Sequence, residues 1–456
     1  MTVSSVGQAD DAVLISDDIY NIKLLLHLSL QYCEKFSVEL CADKTKLLAI
    51  PSKGSEDFID IAKLLNPIKI NDTPIEFSPS AEHVGIIRSE DGNLPQIIQR
   101  IKLHKRALGS TMAAGLASRH RANPVASIRV HQTYALPKLM SGLAPLVLST
   151  TDTNIVDHHV KITLERLQKF HQNTPTPFVM FMSGSLPGLA VLHQRQLSLF
   201  GMICRLPDNI LFKIAEERFS SASTNKGSWF AEIRKLCVKY RLPHPYDLLH
   251  LGYNKETFKK LVKFHIMDYW EQKLRKDAAE LPSLKYFNPR FMSLLNPHPI
   301  WTSAKNNPYE VSKAVIQMRM LSGRYRTEYL CRHWSKRSGA CLANSCIGLA
   351  CPETIEHILI FCPSLADART SSFNLWHATA EKYIFLAPII KKAMSLQPAF
   401  RCQFILDCSS LPDAILLKQT HGQNALHKLL HLTRSYCFTL HRERLKQLGR
   451  WNATFY

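Results

Sequence analysis

Two groups of residues in the sequence have the types and spacing needed to bind metal ions. The first is Asp10-Asp11, two adjacent carboxylates in a short polar turn between apolar runs. Like charges side by side repel, and a divalent cation such as Mg²⁺ relieves that repulsion because it prefers carboxylate oxygens. Pairs of such ions catalyse in-line phosphoryl transfer. Adjacent acids are also common in ordinary turns, so by itself this pair is better explained as a solvated turn.

The second group is a cluster of cysteines with one histidine. Of the 12 cysteines, four lie between positions 341 and 362. Cys341, Cys346, His357 and Cys362 have the spacing C-x4-C-x10-H-x4-C, and three thiolates with one imidazole suit a tetrahedral Zn²⁺ ion. Cys351 is an alternative ligand in place of Cys341 or Cys346. The competing interpretation is a set of buried free cysteines, but density and spacing favour zinc.

The composition favours a polyanionic partner. Lys and Arg number 57 against 37 acidic residues, a formal net charge of +20. Each Lys or Arg that meets a phosphate releases condensed counterions, so nucleic acid is the favoured partner and a merely basic protein is the alternative. A hydrophobic share of 46% supplies a packed core and argues against wholesale disorder.

The start of the chain predicts a location inside the cell. Residues 1–11 contain acids and no basic region of a signal peptide, and no apolar run approaches the ~18 residues of a membrane span. We therefore expect a protein of the cytoplasm and/or nucleus, neither secreted nor membrane-bound, in which clustered cysteines bind metal rather than form disulfides. The sequence leaves the oligomeric state open.

The hydrophobic pattern predicts a mostly α, multi-domain protein with a small N-terminal α/β unit. Residues 3–6 and 12–15 are expected to form a hairpin, followed by a helix over 17–35 with Ser16 as its N-cap. Further strands are predicted over 46–50, 65–77 and 83–88. Basic helices follow from about Leu94 and over 124–142, and 150–300 is a helical pattern broken by prolines. A short helix from Thr354 should carry His357, with Pro363 ending it just after Cys362.

Several segments in order along the chain resemble reverse transcriptases of the non-LTR retrotransposon (LINE) type. Gly7-Gln-Ala-Asp-Asp-Ala-Val-Leu-Ile-Ser16 resembles the catalytic hairpin, and Asp43-Lys44-Thr45 the Lys-Thr dipeptide after the next helix. Glu82-His-Val-Gly85 is similar to the hairpin that holds the primer, and Leu136-Pro-Lys-Leu-Met-Ser-Gly142 to a thumb segment. Residues 317–328 and the ending Glu356-His357-Ile-Leu-Ile-Phe-Cys362-Pro363 resemble the C-terminal Cys-Cys-His-Cys region.

The resemblance implies the C-terminal part of an RNA-directed DNA polymerase that binds an RNA template and a DNA primer. Its domains would be a partial palm (1–90), a thumb (91–150), a helical linker (151–300), a basic helix with a zinc-knuckle-like element (301–370) and a helical tail (371–456). Asp10 and Asp11 would bind Mg²⁺, and Lys44 would assist the leaving pyrophosphate. The primer would contact His83, Val84 and Gly85. Nucleic-acid phosphates would contact Arg100, Lys102, Lys105, Arg106, Arg129, Lys138, Arg319, Arg324 and Arg326.

Two departures from the family limit the expected activity. Gln8 stands where the family usually has Tyr or Phe. The family's upstream palm aspartate and its fingers are not in this sequence, and two adjacent acids alone hold two ions poorly. We therefore expect the chain alone not to polymerise. The alternative is a non-enzymatic nucleic-acid-binding remnant that keeps a structural zinc site. Chance matches in a helical protein are disfavoured, because the matches follow the family order.

Overall fold

The computed structural model describes residues 5–8, 11–50, 68–113, 122–220, 227–333, 335 and 338–449. These residues are mostly helical and contain three two-stranded antiparallel sheets. The strands are β1 Ser5–Gln8, β2 Asp11–Leu14, β3 Lys69–Ile70, β4 Thr73–Pro74, β5 Ser80–His83 and β6 Ile86–Ser89.

The helices occupy most of the rest of the described chain. The α-helices are α1 Ile19–Lys35, α2 Leu94–Thr111, α3 Pro124–Val130, α4 Leu136–Met140, α5 Thr150–Leu167, α6 Thr176–Ser183, α7 Gly188–Ile203, α8 Ile210–Ser220, α9 Trp229–Lys239, α10 Pro245–His250, α11 Lys255–Ala279, α12 Pro299–Ala304, α13 Pro308–Leu321, α14 Glu328–Cys331, α15 Ala366–Lys382, α16 Ala387–Ser395, α17 Pro398–Asp407 and α18 Pro412–Gln447. Two π-helical turns cover His131–Ala135 and His357–Phe361. Short 3-10 turns cover Ala42–Lys44, Pro282–Leu284, Pro289–Phe291, Asn344–Cys346, Pro363–Leu365, Ile384–Leu386 and Cys408–Ser410.

The chain divides into two compact units, each assembled from three segments. The first contains residues 1–104, 138–155 and 195–259, and the second contains 105–137, 156–194 and 260–456. The mostly helical fold class is as predicted, and the five proposed domains stay a prediction. No helix among the described residues has both the length and the apolar character needed to cross a bilayer.

The start of α1 differs from its prediction by two residues. Asp18, not Ser16, is the N-cap: its carboxylate accepts a hydrogen bond from the Tyr20 backbone N–H at 3.0 Å. Ser16 instead accepts a hydrogen bond from the Asp18 backbone N–H at 3.1 Å. Ser16 and Asp18 are both residue types that favour the start of a helix. The Asp18 carboxylate is the N-cap because it lies closer to the first backbone N–H groups of α1, which have no partner within the helix.

A small apolar core holds the N-terminal elements of the first unit together. Leu26 of α1 is buried with three isoleucines from the segment around β3 and β4, namely Ile68, Ile70 and Ile75. The predicted strand over 46–50 is reduced to a single bridge between Leu47 and Phe77, so this core rests on side-chain packing rather than a continuous sheet.

The β5–β6 hairpin closes through a tight turn at Val84 and Gly85. Both residues have positive φ, +51° and +71°, as a two-residue turn matching the strand twist requires. The Arg100 guanidinium of α2 donates a hydrogen bond to the Gly85 carbonyl. The carbonyl oxygen of the Gln96 side chain accepts from the Ile87 backbone N–H at 2.9 Å, so α2 fixes the position of this hairpin.

The predicted helix over 124–142 is present with a π-helical turn inside it. The α3 and α4 segments are separated by His131–Ala135. Asn123 caps α3, accepting a hydrogen bond from Val125 N–H at 2.9 Å. Its side-chain amide also donates to the carbonyls of Trp301 (2.7 Å) and Lys305 (2.5 Å), which joins this helix to α12 within the second unit.

The core of the second unit lies between α13, α17 and the long helix α18. Gln317 of α13 is fully buried and donates to the carbonyls of Ile405 (2.8 Å) and Leu406 (3.1 Å). Trp376 of α15 packs against Tyr436 of α18 with ring centroids 5.6 Å apart. The 36-residue α18 kinks at Gly422, where φ is +79°. These elements form the support for the Cys/His segment.

Candidate metal centre

Four side chains from the Cys/His segment meet in one buried group. Cys341, Cys346, His357 and Cys362 are all buried, and their ligand atoms lie within 4.8 Å of one another. Cys341 follows the Ala340–Pro352 bridge, and Cys346 closes the Asn344–Cys346 turn. His357 opens the π-helical turn that ends just before Cys362. This is the ligand set that the sequence spacing predicted.

The distances within the group fit a tetrahedral metal ion. The Sγ atoms of Cys346 and Cys362 are 3.7 Å apart, and Cys346 Sγ is 3.5 Å from Nε2 of His357. Zinc–sulfur bonds of about 2.3 Å and zinc–nitrogen bonds of about 2.05 Å give tetrahedral edges of about 3.8 Å and 3.6 Å, respectively. These two spacings match the edges of a tetrahedron around one ion, and the soft donor set suits zinc better than magnesium.

Local backbone bonds hold the cysteines in place. The Cys346 backbone N–H donates to the Ala343 carbonyl at 2.8 Å, and the Cys341 N–H donates to the Cys351 carbonyl at 2.8 Å. The Cys362 N–H donates to the His357 carbonyl at 2.6 Å across the π-helical turn. Because a π turn adds one residue to the helical repeat, it brings positions 357 and 362 to the same side of the segment.

Cys351 lies outside the group. Its side chain is half-buried, and its thiol donates a weak hydrogen bond to the Leu349 carbonyl at 3.6 Å. Its backbone, however, braces Cys341. The sequence left Cys351 open as an alternative ligand, and the structure brings the other four residues together.

The protonation states of the thiols are linked. The pKa of the Cys341 thiol is lowered to about 4, first because Cys362 donates a hydrogen bond to its sulfur, with further bonds from His357 and the Ala343 backbone. The same bond to Cys341 is the main reason that the pKa of Cys362 is raised. Burial raises the pKa of Cys346. In both Cys341 and Cys362 the largest cause of the pKa shift is the hydrogen bond between these two thiols.

The helix α18 supports the segment from behind. Glu353 is 1% exposed and accepts two hydrogen bonds from the Arg444 guanidinium, at 2.8 and 2.7 Å. Tyr436 donates to the Leu359 carbonyl at 2.6 Å. Two residues outside α18 also hold the segment: Glu356 accepts a hydrogen bond from the Tyr286 hydroxyl at 2.6 Å and pairs with Lys285. Sequence reasoning missed these supports, because no local pattern links Glu353 to an arginine 91 positions away.

Of the predicted polymerase residues, Lys44 and the hairpin residues His83, Val84 and Gly85 lie in the first unit. The Asp10 backbone and side chain and the Asp11 side chain fall outside the described part of the chain, although the β1–β2 register pairs Gln8 with Asp11. Lys44 is exposed at the end of the Ala42–Lys44 turn. His83, Val84 and Gly85 form the tip of the β5–β6 hairpin. Their roles in catalysis and primer binding stay predictions.

The predicted phosphate contacts differ in how accessible they are. Arg100 is 9% exposed and holds the Gly85 carbonyl, and the Arg319 guanidinium donates to the Lys169 carbonyl at 3.0 and 2.7 Å. Arg324 is half-buried. The exposed members of the set are Lys102, Lys105, Arg106, Arg129, Lys138 and Arg326. Since a phosphate needs an accessible cation, the exposed residues are better placed for the predicted contacts.

One buried group has the residue types of a catalytic triad but not its geometry. Ser409 Oγ lies 3.2 Å from Nε2 of His298, and Asp407 Oδ1 lies 3.4 Å from the same nitrogen. The other nitrogen, Nδ1, accepts from the Ile300 backbone N–H at 3.2 Å. A nucleophile and its orienting acid need opposite ring nitrogens, and both His298 and Asp407 are fully buried. The group therefore joins the start of α12 to the end of α17.

Comparisons with known proteins identify no relative. The chain matches no family model, no curated protein and no solved structure. The likeness to non-LTR reverse transcriptases therefore rests on the residues of this chain alone. What the structure of the chain supports directly is a buried group of Cys and His side chains that could hold a metal ion.

Proposed function

We propose that this chain is a nucleic-acid-binding segment of a non-LTR-type reverse transcriptase, stabilised by a structural zinc ion. The observation that carries the proposal is the buried group of Cys341, Cys346, His357 and Cys362. Its spacing and its Cys-Pro ending resemble the C-terminal element of that family, and its interatomic distances fit a tetrahedral ion.

The proposed zinc ion has a structural role. Three sulfurs and one imidazole nitrogen fill all four tetrahedral positions, whereas a catalytic zinc keeps a position open for water or substrate. Glu353 and Glu356, the nearest acids in the sequence, are engaged by Arg444 and by Lys285 and Tyr286. The ion would therefore fix the fold of residues 340–362 rather than activate a reactant.

Nucleic-acid binding is supported by charge. The net charge of +20 favours a polyanion, and exposed cations such as Lys102, Lys105 and Arg129 are available to meet phosphates. We propose an RNA template paired with a DNA primer as the partner, as the family resemblance implies. Contacts of this kind position a duplex without reading its sequence.

Catalysis by this chain alone is not expected. Asp10 and Asp11 would contribute to a magnesium site, with Lys44 near the leaving group, but two adjacent carboxylates are a poor cage for two ions. A nucleic-acid-binding protein without polymerase activity is therefore the alternative to the leading proposal. The two differ in whether Asp10 and Asp11 matter for any measurable function.

The test combines metal content with binding. The full chain, purified without chelator, should contain about one zinc per chain by elemental analysis, and it should bind a labelled RNA–DNA primer-template in fluorescence anisotropy. The affinity should fall steeply as salt rises from about 50 to 200 mM, because released counterions drive binding. Absence of zinc, or of binding at low salt, would overturn the proposal.

A double variant separates the polymerase interpretation from the binding interpretation. Asp10→Ala with Asp11→Ala should leave the affinity for the primer-template unchanged, since these acids do not contact phosphates favourably. In a primer-extension assay with Mg²⁺, both proteins should show no template-dependent synthesis. Extension by the unmodified chain that disappears in the double variant would instead establish a working catalytic site.

A further inference from the structure

An arginine stacked on a tyrosine lies on the short helix before the Cys/His segment. The guanidinium carbon of Arg332 is 3.7 Å from the centroid of the Tyr329 ring. Arg332 and His333 are exposed, and Tyr329 is half-buried. The His333 ring meets the Tyr329 ring edge-on at 6.4 Å. Together Tyr329, Arg332 and His333 form a cationic and aromatic surface, which we call the stacking surface.

The stacking surface is braced by the chain that leads into the metal group. Gly339 has φ of +80°, and a Cβ added there would come within 3.2 Å of Arg332 Cδ and 3.3 Å of Tyr329 Cα. The Gly339 carbonyl accepts from the Glu353 N–H at 3.0 Å. Cys341, the first residue of the buried Cys/His group, follows two residues after Gly339. Folding of the metal segment therefore holds the backbone under Tyr329 and Arg332.

The charged residues around the stacking surface favour an anionic ligand. Glu328 and Glu353, the two acids in residues 326–353, are 2% and 1% exposed, and Glu353 is neutralised by Arg444. Arg326 and Arg332 are exposed. Since the acids face inward and the cations face outward, the surface is complementary to an anion.

We propose that the stacking surface binds an unpaired base of a single-stranded nucleic acid, with the base lying on the Arg332 guanidinium. One face of this guanidinium is covered by Tyr329, and bases stack on guanidinium planes as they do on aromatic rings. Arg326 and His333 would then meet the flanking phosphates. A duplex would not bind this way, because its base faces are covered by their neighbours. This inference rests on the proposed function and names the strand type that the zinc segment would recognise.

The deciding variant is Arg332→Lys, which keeps the charge and removes the planar group. A single-stranded 12-mer containing 2-aminopurine reports a change in base stacking by a change in its fluorescence. We expect the full zinc-loaded chain to change the fluorescence of the probe, and Arg332→Lys to bind it about fivefold more weakly with most of that change lost. The affinity for the matching duplex should change less than twofold, since that contact is a matter of charge. Probes of RNA and of DNA should both respond.

The chain offers a matched control. Arg290 is exposed and lies over the Phe291 ring at 5.5 Å, outside the Cys/His segment, so Arg290→Lys makes the same chemical change elsewhere. It should leave single-strand binding unchanged. A second variant, Tyr329→Phe, keeps the ring and should bind like the unmodified protein. Zinc content and melting temperature verify that each variant is folded.

The outcomes separate the two proposals. If the unmodified chain binds neither single strand nor duplex, the proposed function fails. If it binds nucleic acid but Arg332→Lys binds the single strand and changes its fluorescence like the unmodified chain, the stacking surface is excluded and the proposed function stands. Equal weakening of single strand and duplex would make Arg332 a phosphate contact, which also overturns the stacking proposal.

Discussion

The N-terminal elements of the first unit and the Cys/His segment of the second are built in opposite ways. Around β1 to β6 there are three separate two-stranded hairpins: a core of four buried residues lies against the first two, and α2 holds the third. Helix α1 leaves a row of apolar side chains exposed at every fourth position, Tyr20, Leu24, Leu28 and Tyr32, and its C-cap Phe36 continues the row. The Cys/His segment has almost no regular structure, yet its four candidate ligands are buried and α18 supports it.

The comparison shows that regular secondary structure is not what fixes a site. A two-stranded hairpin by itself is marginally stable in water, because it buries little apolar surface. An irregular loop can be rigid when a metal and buried polar bonds hold it. We therefore expect substitutions in the Cys/His segment to lower the stability of the fold more than substitutions in the N-terminal elements do.

The largest effect is expected at the ligands. Cys362→Ser should lower the bound zinc to well below one per chain and destabilise the second unit by more than about 5 kcal/mol, because metal binding contributes directly to folding. Elemental analysis and thermal unfolding with and without chelator measure both. The control is Cys351→Ser, which should keep the zinc. Loss of zinc in Cys351→Ser with retention in Cys346→Ser would show that the ligand set is different.

The second effect concerns the buried ion pair behind the segment. Arg444→Met leaves the Glu353 carboxylate buried without its partner, and should cost about 3–5 kcal/mol in urea unfolding. The exposed pair of Lys446 and Glu443 is the matched control, and Lys446→Met should cost less than about 1 kcal/mol. The double variant Glu353→Gln with Arg444→Met should recover part of the loss. Equal costs for Arg444→Met and Lys446→Met would contradict this support role.

A third effect should depend on pH. Burial alone would raise the pKa of Glu310, but hydrogen bonds from His431 and Lys313 and the charge of Arg434 lower it well below the ordinary 4.5. A lowered carboxyl pKa stabilises the fold above about pH 4.5, and the stabilisation is lost progressively as the pH falls below that value. Glu310→Gln should cost about 2 kcal/mol at pH 6 and progressively less toward pH 3. A cost that does not change with pH would exclude this charge effect.

The smallest effect is expected in the N-terminal elements. Asp18→Ala removes the cap of α1 and should cost about 1 kcal/mol in the unfolding of the first unit. Asp18→Asn keeps a capping oxygen and should restore most of that loss. If Asp18→Ala were as damaging as Cys362→Ser, the contrast between the two regions would be wrong.

Local sequence determined the parts of this protein that depend on near neighbours. Positive-φ turns, helix starts and the Cys/His ligands follow from residue types within a few positions of one another, so the hairpins, α1 and the group around His357 could be expected. Three predictions were wrong. The cap moved from Ser16 to Asp18, and the strand over 83–88 is divided by the turn at Val84 and Gly85. The strand over 46–50 became one bridge, because its pairing depends on the distant residue Phe77.

Only the tertiary structure decided the roles that depend on distant partners. Arg319 was expected at a phosphate, yet it holds a carbonyl 150 positions away at Lys169. Glu353 and Arg444 find each other across 91 positions, and Cys351 stays out of the metal group although its spacing allowed it. A side chain's chemistry is set by its type, but whether it faces a ligand, an ion or the core is set by packing between segments that the sequence places far apart.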